Sequence, residues 1–213
     1  MSKLELILIR HGETDWNKDQ VFRGRTDMRL NATGILQADA VAEALSGKVF
    51  EAIYSSPLKR AQVTATRIAK PHALDVRVKD DFQDISFGQW EGLTPKQVED
   101  KWPPQYRKWV EKPASARFPG GETPKRAWKR ANSGLREILF THGTGTIVIV
   151  SHRIPLKMMT AYLLGKKRKH FAEVRHDPCA MSVFEVEDRV AKPVVLNDTR
   201  HLARLTLPEP KDF

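Results

Sequence analysis

A single cysteine, Cys179, stands among the 213 residues, so no internal disulfide can form and a reducing compartment, most simply the cytoplasm, is expected. Long apolar runs are missing too. Glu5 interrupts the first and Lys157 the stretch after Ile154, far short of the roughly 18 residues a membrane helix needs. No secretory leader is expected either, since Leu4 opens an apolar strand directly behind Met1-Ser2-Lys3. The histidines have no carboxylates or thiols at helical or Cys-x-x-Cys spacing, which argues against a metal site. Linkers, repeats and low-complexity stretches are absent. The balance of 29% charged to 40% hydrophobic residues is that of a globular protein, not of a disordered or fibrous one. A chain of this length suits one α/β domain over 1–213.

Charge of one sign is in excess: 36 Lys+Arg against 26 Asp+Glu gives +10 with His neutral. Such a surface suits nucleic acid, acidic lipid, or an enzyme that draws phosphorylated metabolites to a cleft. The densest run, Lys166-Lys167-Arg168-Lys169-His170, follows Gly165 at the end of a helical pattern. Cations there complement the helix dipole and stay solvated. No aromatic residues interleave them as base stacking would require, so nucleic acid and membrane partners are disfavoured. A small phosphoester is the expected partner, and a homodimer is left open.

Short apolar runs predict strands at Leu4–Ile9, Ala52–Tyr54, Thr146–Val150 and Met181–Val186. Helical patterns lie between them. One runs from Asn31 to Leu45, another from Pro57 toward Lys70 behind an expected Ser56 N-cap, and another over about Ile154–Leu164. Thr94-Pro95-Lys96-Gln97 fits a capping box, and Thr123-Pro124 caps a helix toward Phe140. Alternating strands and helices predict a three-layer α/β sandwich whose mostly parallel central sheet is flanked by helices. Function in such sheets gathers at the carboxyl ends of the strands. The strand-poor, Trp- and Pro-bearing stretch within about 94–122 is expected to be a helical, lid-like excursion, its tryptophans serving packing.

Three predicted strand ends carry chemistry. The first reads Arg10-His11-Gly12-Glu13-Thr14, the second Ser151-His152-Arg153, and the third Ser55-Ser56-Pro57 followed by Arg60 in a helix's first turn. Two histidines and two arginines thus converge, and Gly12 is expected to let backbone approach an anion. Arginines bind phosphoryl oxygens in bidentate fashion, one imidazole can attack phosphorus, and the other can stabilise the developing charge. Taken singly, each of these residues is equally at home as a hydrogen-bonding loop or surface residue.

Taken in order, the motifs are more specific. Arg10-His11-Gly12-Glu13-Thr14 with Trp16-Asn17, Gly24-Arg25-Thr26-Asp27, Ser55-Ser56-Pro57-Leu58-Lys59-Arg60-Ala61, Phe87-Gly88-Gln89-Trp90-Glu91-Gly92-Leu93-Thr94, Pro119-Gly120-Gly121-Glu122-Thr123, Val150-Ser151-His152 and Asn197-Asp198-Thr199-Arg200-His201-Leu202 span nearly the whole chain. Together they resemble the histidine phosphatase superfamily, the phosphoglycerate mutase-like proteins.

The resemblance implies a phosphohistidine mechanism with no metal or organic cofactor. His11 would be the nucleophile. Arg10, Arg60 and His152 would form the phosphate pocket, with Asn17 as a further donor. The family's acid is usually a glutamate; the matching residue is Asp84, shorter by one methylene, so either the loop sits closer or Glu91 or Glu13 takes the role. Asp84 is favoured, because the family's counterparts of the other two read as scaffold.

Two further departures concern substrate. The family's Arg-x-Gln-Gly is Val21-Phe22-Arg23-Gly24 here, and Arg153 follows the second histidine where glycine is usual. Arg23, Gly24 and Arg153 would then bind a second acidic group, or the two arginines are surface variation. The resembling mutases are longer and carry substrate-binding segments after the acid loop that are not found between Glu91 and Pro119. A phosphatase of the bacterial broad-specificity or α-ribazole phosphate type is therefore expected. The alternatives are a mutase or, less well supported, a basic nucleic-acid- or protein-binding module with a vestigial pocket.

Overall fold

In the computed structural model, which describes residues 3–205, the chain runs β1 (Leu4–Arg10), α1 (Asp15–Lys18), α2 (Ala32–Leu45), β2 (Ala52–Ser55), α3 (Lys59–Ala69), β3 (Val76–Val78), α4 (Pro95–Lys101), α5 (Pro103–Glu111), α6 (Pro124–Thr141), β4 (Gly145–Ser151), α7 (Arg153–Leu163), β5 (Met181–Glu187) and β6 (Val190–Asp198). The domain limits expected at 1 and 213 lie outside the described residues. The sheet order is β3-β2-β4-β1-β5-β6. The pairs β2–β3, β2–β4 and β1–β4 are parallel, and β1–β5 and β5–β6 antiparallel. This is the expected mostly parallel α/β sheet.

Its centre is buried on both faces, which is why Leu6–Ile9 of β1 and Ile147–Val150 of β4 read as apolar runs instead of alternating ones. Ile7 and Ile9 of β1 pack with Val148, Val150 and Ile53 against α2 and α3. Leu4, Leu6 and Leu8 point the other way, into a core with Ile147, Ile149, Leu135 of α6 and Leu156 of α7. Each such side chain, wholly withdrawn from water, contributes about 1.5–3 kcal/mol to folding.

The helix starts follow their caps. Asn31 accepts from the Gly34 amide, Thr123 accepts from the Arg126 amide, and Thr94 with Gln97 closes the expected capping box. The helix expected from Pro57 begins instead at Lys59. Ser56 does not cap it: its Oγ accepts from the Leu58 amide and pairs with His152. β3 and β6 were not anticipated. β3 is only three residues long, and β6 is an edge strand broken by Lys192 and Pro193, composition that edges use to stay unpaired.

Within residues 94–122, α4, α5 and a 3-10 turn at Pro113–Ser115 are helical, 116–122 is irregular, and the stretch builds a third core. Trp109, Ala114, Ala116 and Phe118 pack there with Phe22, Phe87 and Trp90 beneath α7's Ile154 and Met158. Phe118 meets Phe87, Trp90 and Trp109 edge-on with centroids 4.9 to 5.4 Å apart, a favoured aromatic geometry. Trp90 and Trp109 are thus packing residues, as expected. The basic run after Gly165 is mostly exposed, with Lys166 and His170 both paired to Glu173.

Candidate active site

Register brings the site together. Arg10 of β1 pairs with Ser151 of β4, so His11 and His152 leave two neighbouring parallel strands at the same level. The His11 amide donates to the Ser151 carbonyl (3.0 Å), and the Ser56 amide, leaving β2 on the other side of β4, donates to the Val150 carbonyl (3.0 Å). The two imidazole centroids are 5.0 Å apart. Arg10, His11, Arg60 and His152 are all buried.

Hydrogen bonding assigns the protons. His11 Nδ1 lies 2.7 Å from the Gly12 carbonyl oxygen, which can only accept, so Nδ1 carries the proton and Nε2 keeps its lone pair. His152 has the opposite arrangement. Its Nδ1 accepts from Arg60 Nε (3.2 Å), leaving Nε2–H to donate to Ser56 Oγ (2.7 Å). Burial first, then the Arg60, Arg10 and Arg23 guanidiniums, hold His11 well below its ordinary pKa. Burial and Arg60 do the same to His152. Both rings are neutral near pH 7.

Arg60 is fixed from behind: Nη1 donates to the Thr26 carbonyl and Nη2 to the Gly24 carbonyl, each 2.8 Å. Gly24 has φ +51°, and a Cβ there would overlap the Glu91 carboxylate. Arg10 Nη1 donates to the His176 carbonyl (2.8 Å). Gly12 turns out to serve packing rather than anion approach. A Cβ on it would run into the Gly34 carbonyl at the start of α2, while its amide donates to Thr64 Oγ1 (3.2 Å).

Asp84 reaches the same place. One carboxylate oxygen accepts from the Ile85 amide (2.9 Å), and the other lies 3.6 Å from Arg60 Nη2 and 4.0 Å from His152 Nδ1. Burial raises its pKa, against the opposing pull of Arg60 and Arg23. The other carboxylates are occupied. Glu91 accepts from the Arg25 and Phe87 amides and from the Ser86 and Thr26 hydroxyls, and Glu13 accepts from Asn31 Nδ2. Asn17 commits Oδ1 to the Thr14 amide and hydroxyl at the mouth of α1, which orients its amide nitrogen as the donor face.

Arg23 is buried, not surface variation: Nη1 donates to the Trp16 carbonyl (3.1 Å). Arg153, at the first position of α7, is half-buried. The two arginines and Asp84 line one small cleft with Phe87. Residues 94–122 contribute nothing to that lining. Among the described residues, no three His, Cys, Asp or Glu side chains cluster as for a metal ion, and no helix is long and apolar enough to cross a membrane.

Ser56, Arg25, Glu122 and Arg130 were missed as neighbours of the site. Ser56, Arg25 and Glu122 each stood in a quoted motif that did not say what they would touch, and nothing in the sequence signalled Arg130.

Comparisons with known proteins give the family and the fold. Phosphoserine phosphatase 1 of Hydrogenobacter thermophilus is 37% identical over 199 residues, 93% of this chain and 94% of that protein. The phosphoserine phosphatase of Entamoeba histolytica, solved as a mutant in complex with phosphoserine, superposes with a TM-score of 0.83 at 31% identity, over 93% and 99% of the two chains. A putative alpha-ribazole-5'-P phosphatase from Escherichia coli gives a TM-score of 0.86 at 28% identity, over 92% and 96%. The family model of the histidine phosphatase superfamily (branch 1) matches residues 6–199, so this chain, a phosphatase, belongs to that superfamily.

Proposed function

We propose that the chain hydrolyses small phosphomonoesters carrying a second acidic group, with His11 as nucleophile and Asp84 as the acid. The observation that carries this reading is His11's tautomer: a neutral ring whose Nε2 lone pair sits among buried guanidiniums. Nε2 attacks phosphorus, forming the N–P bond as the bond to the ester oxygen breaks. The departing oxygen takes the Asp84 carboxyl proton, which burial favours keeping. The imidazolium that results is supported at Nδ1–H by the Gly12 carbonyl. A water then attacks phosphorus, gives its proton to the Asp84 carboxylate, and releases phosphate and neutral His11.

Arg10, Arg60 and Asn17 hold the phosphoryl oxygens in this scheme, with arginines supplying the positive charge that a metal ion would otherwise supply, while His152, whose one N–H goes to Ser56, accepts from Arg60 Nε and orients that guanidinium instead of holding phosphate itself. No cofactor is required. Arg23, Arg153 and the Gly24 backbone face the remainder of the substrate. Phosphoserine, bound to the Entamoeba relative, carries a carboxylate of the kind these two arginines would meet. A single cysteine, Cys179, which leaves no internal disulfide possible, supports a reducing compartment, the cytoplasm.

The test is labelling. Phosphoserine carrying labelled phosphate should give acid-labile protein label in the native enzyme and none in a folded His11→Ala variant. Label persisting in that variant would overturn the assignment.

A further inference from the structure

Asp84 sits at the end of a stretch, 80–84, whose carbonyls no strand satisfies: a single 3-10 turn at Asp80–Phe82 leads into extended backbone at Gln83. One side chain reaches four of these five carbonyls, and the fifth, that of Phe82, accepts from Ser151 Oγ (2.6 Å). From the second turn of α6, Arg130 Nη1 donates to Asp81 (2.7 Å) and Gln83 (2.9 Å), with a longer contact to Asp80 (3.4 Å), and Nη2 reaches the Asp84 carbonyl (3.5 Å). Glu122 holds the other edge of the guanidinium, accepting from Nε (3.1 Å) and Nη2 (2.8 Å). Both partners are largely buried, at 18% and 10% side-chain exposure, where a bidentate pair has fixed geometry.

The staple is joined to the phosphate pocket. Arg25 donates from Nε to the Asp84 carbonyl (3.3 Å) and from Nη2 to Glu122 (3.2 Å). Its neighbours Gly24 and Thr26 supply the two carbonyls that grip Arg60. The distance between Arg60 and the Asp84 carboxylate is thereby set by main chain tied from both sides.

We propose that Arg130, oriented by Glu122, is a positioning residue that sets the reach of Asp84 toward the departing ester oxygen. A short carboxylate has two side-chain torsions with which to correct a misplaced backbone, so its reach depends on the loop. The proposal rests on Asp84 being the acid. Lysine cannot replace the fork: it carries the charge but not a planar array spanning four carbonyls and a carboxylate.

The experiment compares burst rates of phosphoryl transfer for phosphoserine, whose alkoxide needs a proton, and 4-nitrophenyl phosphate, whose phenolate does not. Arg130→Lys should lower the phosphoserine burst by about 10- to 100-fold, the cost of roughly ångström misplacement. The nitrophenyl burst should fall by less than about threefold, within the uncertainty of a remote change. Glu122→Gln, which keeps the shape and weakens the hold on the fork, should show the same split at smaller size and covers the case in which Arg130→Lys fails to fold. In an Asp84→Asn background, Arg130→Lys should add nothing to the phosphoserine loss. Equal fractional losses for both esters, no loss for either, or an additive loss in that background would overturn the proposal while leaving Asp84 as the acid. If Asp84→Asn itself shows no split between the esters, the acid assignment fails and the proposal fails with it.

Discussion

His11 and His152 stand with ring centroids 5.0 Å apart, yet hydrogen bonding gives them opposite tautomers, Nδ1–H on one and Nε2–H on the other. Burial and the shared arginines keep both pKa values well below the ordinary 6.5, while burial raises Asp84 above 3.8. For a nucleophile that works unprotonated, activity lost on acidification should therefore be lost well below pH 6.5. The alkaline limb should report Asp84 giving up its proton. After correction for substrate ionisation, kcat/KM measured across pH should show both displacements, and the alkaline limb should vanish in Asp84→Asn. An acid limb centred at 6.5 would contradict the neutral pair.

His176, whose carbonyl holds Arg10 from behind the pocket, provides a stability test. Its ring is buried against Thr160 Oγ1 (2.9 Å) and its pKa is lowered to about 3, first by burial and then by Arg10. Below pH 6.5 the unfolded chain takes up a proton that the native ring refuses, so folding stability falls as pH falls. By pH 5 the loss should reach about 2 kcal/mol from this group. His11 and His152 act in the same direction, and Asp84, with its raised value, opposes them. Denaturant unfolding at pH 7 and pH 5 should show a smaller loss in His176→Gln than in the native chain; identical losses would rule out the assignment.

The site's strand ends were legible because parallel strands buried on both faces announce themselves as apolar runs, and the residues after them are then placed by topology. Arg10, His11, Arg60, His152 and Asp84 all follow from that logic and from motif order. The Arg130 staple was not legible, since α6 and the 80–84 loop meet only through tertiary packing and an arginine in an amphipathic helix looks solvated. Ser56 was misread for a related reason: Ser-Pro before a helix is a strong cap signal, but His152 arrives from a strand some hundred residues away and claims the hydroxyl. Gly12 carried the opposite ambiguity, a glycine beside an anion site whose constraint comes from the neighbouring helix.

Gly12→Ala should therefore act through packing. The new methyl would drive into the Gly34 carbonyl, backbone that has no rotamer with which to yield. Overpacking of this kind typically costs about 1–3 kcal/mol, and here it would also displace the carbonyl that holds His11 Nδ1. Denaturant unfolding and burst rate should both fall. Unchanged stability with lost activity would instead restore the anion-approach role.

Chelation tests the charge balance of the pocket. Arg10 and Arg60 are buried beside His11, and guanidiniums meet phosphate oxygens bidentately, so transition-state charge has its counter-ions within the chain. Activity after exhaustive chelation should equal that of untreated enzyme. Loss that one added metal restores would show that the arginines are insufficient.

Arg153 provides the test of substrate class. With Arg23 it lines the cleft beside Asp84, where the proposed function puts the ester's organic part. Phosphoserine and phosphoethanolamine differ by one carboxylate and share an alkoxide leaving group, so the pair isolates recognition from proton transfer. An interaction made equally in ground and transition states appears in KM and leaves kcat alone. Arg153→Ala should raise KM for phosphoserine by about tenfold, equivalent to roughly 1.4 kcal/mol, and that for phosphoethanolamine by less than about twofold, with kcat unmoved for both. Arg23→Gln should follow the same pattern, with some loss of kcat because its charge also acts on His11. Equal KM increases for the two esters would place both arginines on the phosphate rather than on a second acidic group, and no increase for either would leave Arg153 outside the binding site.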